Sequence, residues 1–508
     1  LKDNDRFSFA VEKRTDGQKK PYDASTFRRR RGVIKVVSDV MIVLIQTILF
    51  GVTVFVVYNK IFPAPLYTGG YLIVALYLVW ISFLLSVLGG YRIGIDRRSN
   101  VVLSHIIGLF MADAFSYFEL SLVYRAFLPL LPMFIKFLVS IGFSVIWTLV
   151  AFYFYSKFIP PRIALYVSGS ENNKELAYKM AERQDLYIIK KSIYYKNYGG
   201  DRDNLDDVKR EIKNFDYIVI NNLESSVRND ILKYCYENYI SVYLTPRISD
   251  IMVRGAKEIN QFDTPILECR NCGLTSEQKF FKRFFDIIFS LLVMIILSPL
   301  FLVISLAVHF YDNGPVFYKQ ARLTEGGKIF DVLKFRSMIV GAEKMGEPQK
   351  ATDDDERITP VGKLLRRFRL DELPQFINVL KGDMSVVGPR PERVENYEEY
   401  TKTVPEFIYR TKVKAGLTGY AQVMGKYNTS PYDKLILDLI YIQQYSFFGD
   451  IKIIFLTIKV IFRKESTEGF ASNESDAENE VKTKTEDEFK GSEIVGYDEN
   501  GYDFKDFE

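Results

Sequence analysis

At 508 residues the chain is too long for one ordinary domain, and its three cysteines (Cys235, Cys269 and Cys272) exclude a disulfide framework and point to reduced thiols. Its formal charge of +4 hides a division: residues 465–508 hold 15 acids against 4 lysines, a net −11 that leaves about +15 on the remainder. That excess suits anionic lipid surfaces and phosphorylated substrates better than a neutral cytosolic metabolite, and no motif for nucleic acid accompanies it.

Residues 1–32 form a polar, basic segment ending in Arg28-Arg29-Arg30-Arg31, which abuts an apolar run from Val33 to Tyr58. The run is too long for a signal-peptide core and lacks a cleavage site, so it reads as a membrane anchor. Three more runs, Gly70 to Gly90, Val101 to Tyr124 and Leu128 to Tyr155, each approach the length of about 20 residues that crosses a bilayer. A four-helix transmembrane domain is therefore predicted over residues 33–157. Basic residues concentrate at Arg28 to Arg31, at Arg92, Arg97 and Arg98, and at Lys157 and Arg162, which places those loops and both termini on the cytoplasmic side. The third span carries Asp113 and Glu119. A carboxylate at mid-bilayer costs roughly 2.5–3.5 kcal/mol, so these acids are expected to be paired or near an interface within the bundle rather than to serve transport.

From 162 to 265 the pattern changes to short β-branched runs, Ile163 to Val167, Tyr187 to Ile193, Tyr217 to Ile220 and Ser241 to Leu244, alternating with helical segments. This predicts a Rossmann-like α/β module. Ser168-Gly169-Ser170 after the first run lacks the further glycines of a dinucleotide fingerprint, so regulation or oligomerisation is the expected role. Cys269 and Cys272 have the spacing of half a zinc site without a second pair.

A fifth apolar stretch, Ile287 to Phe310, is broken near its centre by Ser298-Pro299. If it crossed the bilayer, the following segment with Lys319, Arg322, Lys328, Lys334 and Arg336 would be exported, against the positive-inside bias. Pro299 cannot donate an N–H to the carbonyl of Ile295 and crowds it, and Ser298 is available to satisfy freed backbone groups. A re-entrant membrane helix over about 284–311 is the prediction.

Beyond it, Leu370-Asp371-Glu372-Leu373-Pro374-Gln375 sits between the arginines Arg366, Arg367 and Arg369 and the segment Gly388-Pro389-Arg390-Pro391. Two adjacent carboxylates among cations suit phosphoryl chemistry: a carboxylate attacks phosphorus or holds Mg²⁺, and guanidinium groups neutralise phosphate oxygens. Asp371 is expected just ahead of a short helix through Leu380 ended by Gly382, with the helix dipole, Arg366, Arg390 and a cation keeping it ionised. Arg366 is the phosphate candidate among the arginines, whereas Arg367 and Arg369 also suit lipid headgroups. Lys334 and Arg336 lie on an alternating, strand-like run and are candidates for the substrate. Asp383 reads as a turn residue after Gly382.

Between Lys279 and Lys464 the chain presents, in order, Lys282-Arg283-Phe284-Phe285-Asp286, Gly314-Pro315-Val316-Phe317-Tyr318-Lys319-Gln320, Lys334-Phe335-Arg336-Ser337-Met338, the Asp371 cluster, Gly382-Asp383-Met384-Ser385-Val386-Val387-Gly388-Pro389-Arg390-Pro391, Gly416-Leu417-Thr418-Gly419 and Asp438-Leu439-Ile440-Tyr441-Ile442. Taken together they closely resemble the bacterial sugar transferase family, the monotopic polyprenyl-phosphate phosphoglycosyl transferases, and the four spans and α/β module ahead resemble its large branch, which starts capsule and exopolysaccharide synthesis. The resemblance implies a catalytic domain over 277–464 that transfers a sugar 1-phosphate from a UDP-sugar, with UDP-glucose or UDP-galactose as first choice, to undecaprenyl phosphate with release of UMP. It implies Asp371 as nucleophile, Glu372 beside it, Mg²⁺ as cofactor held at Asp371 and Glu372, Ser298-Pro299 as the break of the re-entrant helix, and Pro389, Arg390 and Pro391 at the nucleotide end of the donor. A homodimer is implied as well, with membrane lipids and other polysaccharide assembly proteins as further partners. Two other readings stand beside it: a catalytically silent scaffold that binds a nucleotide sugar, and a direct glycosyl transferase releasing UDP.

The chain departs from the family pattern at Thr324, where glycine is usual, at Ala415, where proline is usual, and at Met424, where asparagine is common. The acidic residues 465–508 are poor in aliphatic side chains, and disorder is predicted there.

Overall fold

Four long apolar helices open the computed structural model, which describes residues 24–61, 69–169, 175–181, 183–195, 203–259, 263–269, 273–342, 355, 357–425, 429–461 and 493–496. Helix α1 begins at Ala24, before the arginine run, and α1 (Ala24–Val52) continues through a π-helical stretch, Thr53–Tyr58, into Asn59–Ile61. It is followed by α2 (Gly69–Leu88), α3 (Arg98–Tyr124) and α4 (Leu130–Phe158). All four contain segments long and apolar enough to cross a membrane. Leucine, isoleucine, valine and phenylalanine side chains such as Leu122, Leu130 and Ile146 cover the outside, as a lipid-facing surface requires. Polar side chains turn inward: Lys136 Nζ on α4 donates to Asp113 Oδ1 on α3 at 2.5 Å and to Tyr77 Oη on α2 at 2.6 Å. Trp80 Nε1 donates to Glu119 Oε1 at 2.8 Å, so both acids of the third span are paired within the bundle.

The next strands, β1 (Arg162–Ser168), β2 (Tyr187–Tyr194), β3 (Tyr217–Asn221) and β4 (Ser241–Leu244), form a parallel sheet in the order β2-β1-β3-β4. Helices α5 (Glu175–Ala181), α6 (Asp203–Ile212) and α7 (Ser225–Glu237) connect them. Their near-continuous apolar runs are those of strands covered on both faces, and Leu165, Val167, Ile218 and Ile220 are fully buried against Val208, Ile212 and Ile231.

The compact unit that begins at Leu1 ends at Thr245, and a second runs from Pro246 to Val481. The division falls after β4, ahead of residue 265, the expected end of the α/β module. Helix α8 (Ile248–Arg254) places Ile251 in the core of the second unit, because its single buried apolar side chain finds partners there. Residues 465–508 lie outside the described residues except for a strand at Glu493–Gly496, which pairs parallel with β2 at the edge of the sheet. Residues 1–23 and Cys272, with its half zinc site, also lie outside the described residues.

In the second unit, α9 (Ser276–Ile296) starts with a reciprocal cap between Thr275 and Gln278 and is followed by α10 (Ser298–Asp312), bent from it by 65°. Ser298 Oγ donates to the carbonyl of Ile295 at 2.8 Å, the acceptor to which Pro299 has no N–H to give. An antiparallel ribbon follows, here β5 (Phe317–Leu323) with β6 (Ile329–Phe335), and then α11 (Pro360–Arg367) and α12 (Gln375–Lys381). Two short parallel strands, β7 (Met384–Val387) and β8 (Ala415–Thr418), complete the frame. Helix α13 (Pro431–Gln443) and helix α14 (Phe447–Ile461) add Leu435, Leu439, Ile442 and Ile453 to the core around Val379, Met384 and Phe407.

Candidate active site

The sequence turns sharply at the paired carboxylates. Thr359 caps α11 by accepting from Gly362 N at 2.9 Å, and Pro360 fits the first turn, where its missing N–H costs nothing. After the helix, Arg369 adopts a left-handed backbone (φ 54°) and throws the chain into a 3₁₀ turn, Leu370–Glu372. Helix α12 then runs to Lys381 and is closed by Gly382 at φ 97°, a conformation suited to glycine. With only seven residues α12 supplies little dipole, and Asp371 lies in the turn ahead of it, so side-chain cations supply the site's positive potential.

Glu372 Oε1 accepts from Lys334 Nζ at 3.0 Å and from Arg390 Nη2 at 3.0 Å. Burial raises its pKa, but Lys334 and Arg390 outweigh burial and hold the carboxyl well below the ordinary glutamate range. Among the described residues Asp371, 9% exposed, has no equivalent partner. Burial and then the Glu372 carboxylate push its pKa above the usual aspartate value, against opposition from Lys334, Arg366 and Arg390. Burial and Glu372 thus oppose the ionised form that the surrounding cations favour, and two of those cations are engaged by its neighbour.

The other site candidates divide in the same way. Arg366, at the end of α11, donates from Nε to Ser337 Oγ at 2.9 Å and lies in the field of Asp371. Pro389 and Pro391 bracket Arg390, with the carbonyl of Pro389 accepting from Gly416 N at 2.9 Å and that of Pro391 from Arg322 Nη1 at 3.0 Å. Arg336 goes elsewhere. Strand β6 ends at Phe335, and the buried Arg336 guanidinium forks onto the carboxylate of Asp312 and donates to the carbonyl of Pro315 at 2.7 Å, tying the end of α10 to the ribbon. The structure therefore brings Lys334, Arg366 and Arg390 to the carboxylates, and gives Arg336 a bracing position.

Several groups to which the sequence analysis assigned no role hold this arrangement. Arg283 on α9 donates to the carbonyls of Val379 at 2.5 Å and Leu380 at 2.7 Å, a cation at the C-terminus of α12. On the next turn of α9, Asp286 accepts from Ser385 Oγ at 3.1 Å and Val386 N at 3.0 Å. Asn378, nearly wholly buried, accepts from Leu333 N and donates to the carbonyl of Asp331, fastening α12 to β6. The charged residues at 282, 283 and 286 share one helical face at (i, i+3/i+4) spacing, a signal that marks this anchor without naming its partners.

Two departures from the family pattern meet. Thr324 Oγ1 donates to the carbonyl of Asp383 at 2.7 Å and accepts from Ala415 N at 3.2 Å. A proline at 415 has no N–H to donate and a glycine at 324 no hydroxyl to receive it, so the two departures complement each other in this chain. Asp383 occupies a turn, with its N–H bonded to the carbonyl of Asn378.

Among the described residues no three His, Cys, Asp or Glu side chains converge as a metal cage. Asp371 and Glu372 do fit the requirement of Mg²⁺ for one or two carboxylates completed by waters and substrate phosphates.

The model of the bacterial sugar transferase family matches residues 277–464, which contain all of these groups. An exopolysaccharide production protein, ExoY, of Sinorhizobium fredii is 37% identical over 194 residues, which cover 35% of this chain and 84% of that protein. The chain belongs to the bacterial sugar transferase family. Other sugar transferase relatives are the UDP-glucose:undecaprenyl-phosphate glucose-1-phosphate transferases of Klebsiella pneumoniae, 44% identical over 41% of this chain and 45% of the relative, and of Escherichia coli, 40% identical over 43% and 48%. The chain thus matches a little under half the length of these two curated relatives.

Proposed function

We propose that this protein transfers a sugar 1-phosphate from a UDP-sugar, UDP-glucose or UDP-galactose first among them, to undecaprenyl phosphate, and so begins a capsular or exopolysaccharide chain. The observation that carries the reading is the buried Asp371, without a bonded partner among the described residues, beside a Glu372 held by Lys334 and Arg390, within a segment matched by the family model. The Asp371 carboxylate attacks the sugar-bearing phosphorus of the donor; a new P–O bond forms as the diphosphate bridge breaks, and the bridging oxygen leaves with UMP. A phosphate oxygen of undecaprenyl phosphate then attacks the same phosphorus, regenerates the carboxylate and yields the lipid diphosphate sugar. Arg390, Lys334 and Arg366 neutralise the phosphate oxygens during both displacements. Asp371 or Glu372 would hold Mg²⁺, which would supply further charge neutralisation when bound.

The 65° bend at Leu297, with Ser298 serving the carbonyl of Ile295, supports a re-entrant hairpin that keeps the catalytic segment and both termini on the cytoplasmic side of the bacterial inner membrane. The parallel order β2-β1-β3-β4 supports a Rossmann-like module. Purified protein in lipid nanodiscs, given Mg²⁺, undecaprenyl phosphate and each common UDP-sugar, is expected to release UMP. Release of UDP marks a direct glycosyl transferase, and no nucleotide product from any donor marks a scaffold. Asp371→Asn is expected to abolish capture of a radiolabelled phosphosugar on the protein.

A further inference from the structure

Strand β5 contributes a residue that neither the motif reading nor the mechanism uses. Tyr318, Gln320 and Arg322 alternate along one face of the ribbon, and register places Lys334 of β6 opposite Tyr318 on that same face. One end of the face reaches Glu372 through Lys334, and the other reaches the 389–391 segment through Arg322. The separation from Tyr318 to Arg322 is four residues, roughly 13 Å at about 3.3 Å per residue, comparable to the reach of an extended nucleoside diphosphate.

Arg322 is forked between uncharged acceptors: Nη1 donates to the carbonyl of Pro391 at 3.0 Å and Nη2 to Gln320 Oε1 at 2.5 Å, while its backbone bridges to Arg393. Arg390 and Arg393 add like charge beside it, and burial followed by Arg390 brings the Arg322 pKa down to about 10. The neighbouring acids are engaged, Glu372 by Lys334 and Arg390, and Glu392 with Arg410 at 3.7 Å. Gathering arginines around committed carboxylates is unfavourable unless an anion completes the site.

We propose that Arg322 is the positioning residue for the nucleotide half of the donor: its fork holds the Pro389–Pro391 turn, and so the Arg390 guanidinium, against the diphosphate. The inference rests on the UDP-sugar reading. Lysine keeps the charge at 322 and loses the planar fork. The full-length protein in nanodiscs is to be titrated with UMP by calorimetry, and KM measured separately for UDP-sugar and for undecaprenyl phosphate. Arg322→Lys is expected to weaken UMP binding and raise KM for UDP-sugar by about tenfold each, with KM for the lipid unchanged. Arg322→Lys combined with Arg390→Lys is expected to lose little more than Arg390→Lys alone, because one residue acts through the other. Gln320→Ala, which removes one acceptor, provides the milder variant if Arg322→Lys fails to fold and is expected to weaken UMP binding about threefold. UMP affinity in folded Arg322→Lys or Gln320→Ala equal to wild type overturns the inference alone, as does an equal rise in both KM values. Wild-type protein without affinity for UMP overturns the donor reading and this inference with it.

Discussion

The membrane bundle and the catalytic unit use buried lysine in the same way at one place and differently at another. In the bundle, Lys136 meets Asp113 and Tyr77; in the second unit, Lys282 meets Asp450 at 2.5 Å and Tyr441 at 3.1 Å, and Tyr441 returns a bond to Asp450 at 2.9 Å. Each is a closed triad in which one cation answers one carboxylate. At Asp371 and Glu372 the arrangement is open: two cations converge on Glu372, and the neighbouring carboxylate is left in a buried place without a bonded counter-charge among the described residues. Closed triads fix geometry, whereas an uncompensated group stores the reactivity that a nucleophile needs.

The sharpest way to break this contrast is Asp371→Asn, expected to lower UMP release by at least about 10³-fold. The same change should leave the protein as stable or more so at neutral pH. A carboxyl whose pKa is raised on folding costs stability in its ionised form; that cost is absent below the ordinary aspartate pKa and complete above the folded one. Thermal unfolding at pH 7 and at low pH checks the sign, and a marked loss of stability at pH 7 contradicts the assignment. Opening a closed triad should do the opposite. Lys282→Ala is expected to cost about 3–5 kcal/mol by denaturant unfolding, much of it recovered when Asp450 is replaced by leucine as well, since the stranded charge carries most of the penalty.

Thr324→Gly strands the buried N–H of Ala415 and is expected to cost about 1–3 kcal/mol. Adding Ala415→Pro removes that donor, so a double-mutant cycle should return a coupling term that offsets part of the single loss. The smallest expected effect belongs to Glu372→Gln. It removes the negative neighbour and frees Lys334 and Arg390, which lowers the pKa of Asp371. Because the ionised form reacts, kcat/KM rises with pH through that pKa, and the acid limb of the profile should move to lower pH.

Much of the architecture was legible residue by residue. The four apolar helices and the strands at 162–168, 187–194, 217–221 and 241–244 follow from runs whose length and β-branching are local properties. The bend at Leu297 was legible too, because Ser298 and Pro299 act on a carbonyl within one turn. The site was legible only as a list. Lys334 and Arg336, two residues apart on an alternating run, carry the same local signal, yet one reaches Glu372 and the other Asp312.

The sequence alone determined where the chain is apolar enough for a membrane, where it bends and where cations flank the paired carboxylates along the chain, because solvent partition and backbone chemistry act over a few neighbouring residues. Only the tertiary structure decided that Glu372 takes both Lys334 and Arg390, that Arg322 grips the 389–391 turn and that Thr324 answers Ala415. Those pairings join residues up to 91 positions apart, and a buried charge takes its character from the partners that packing brings within reach.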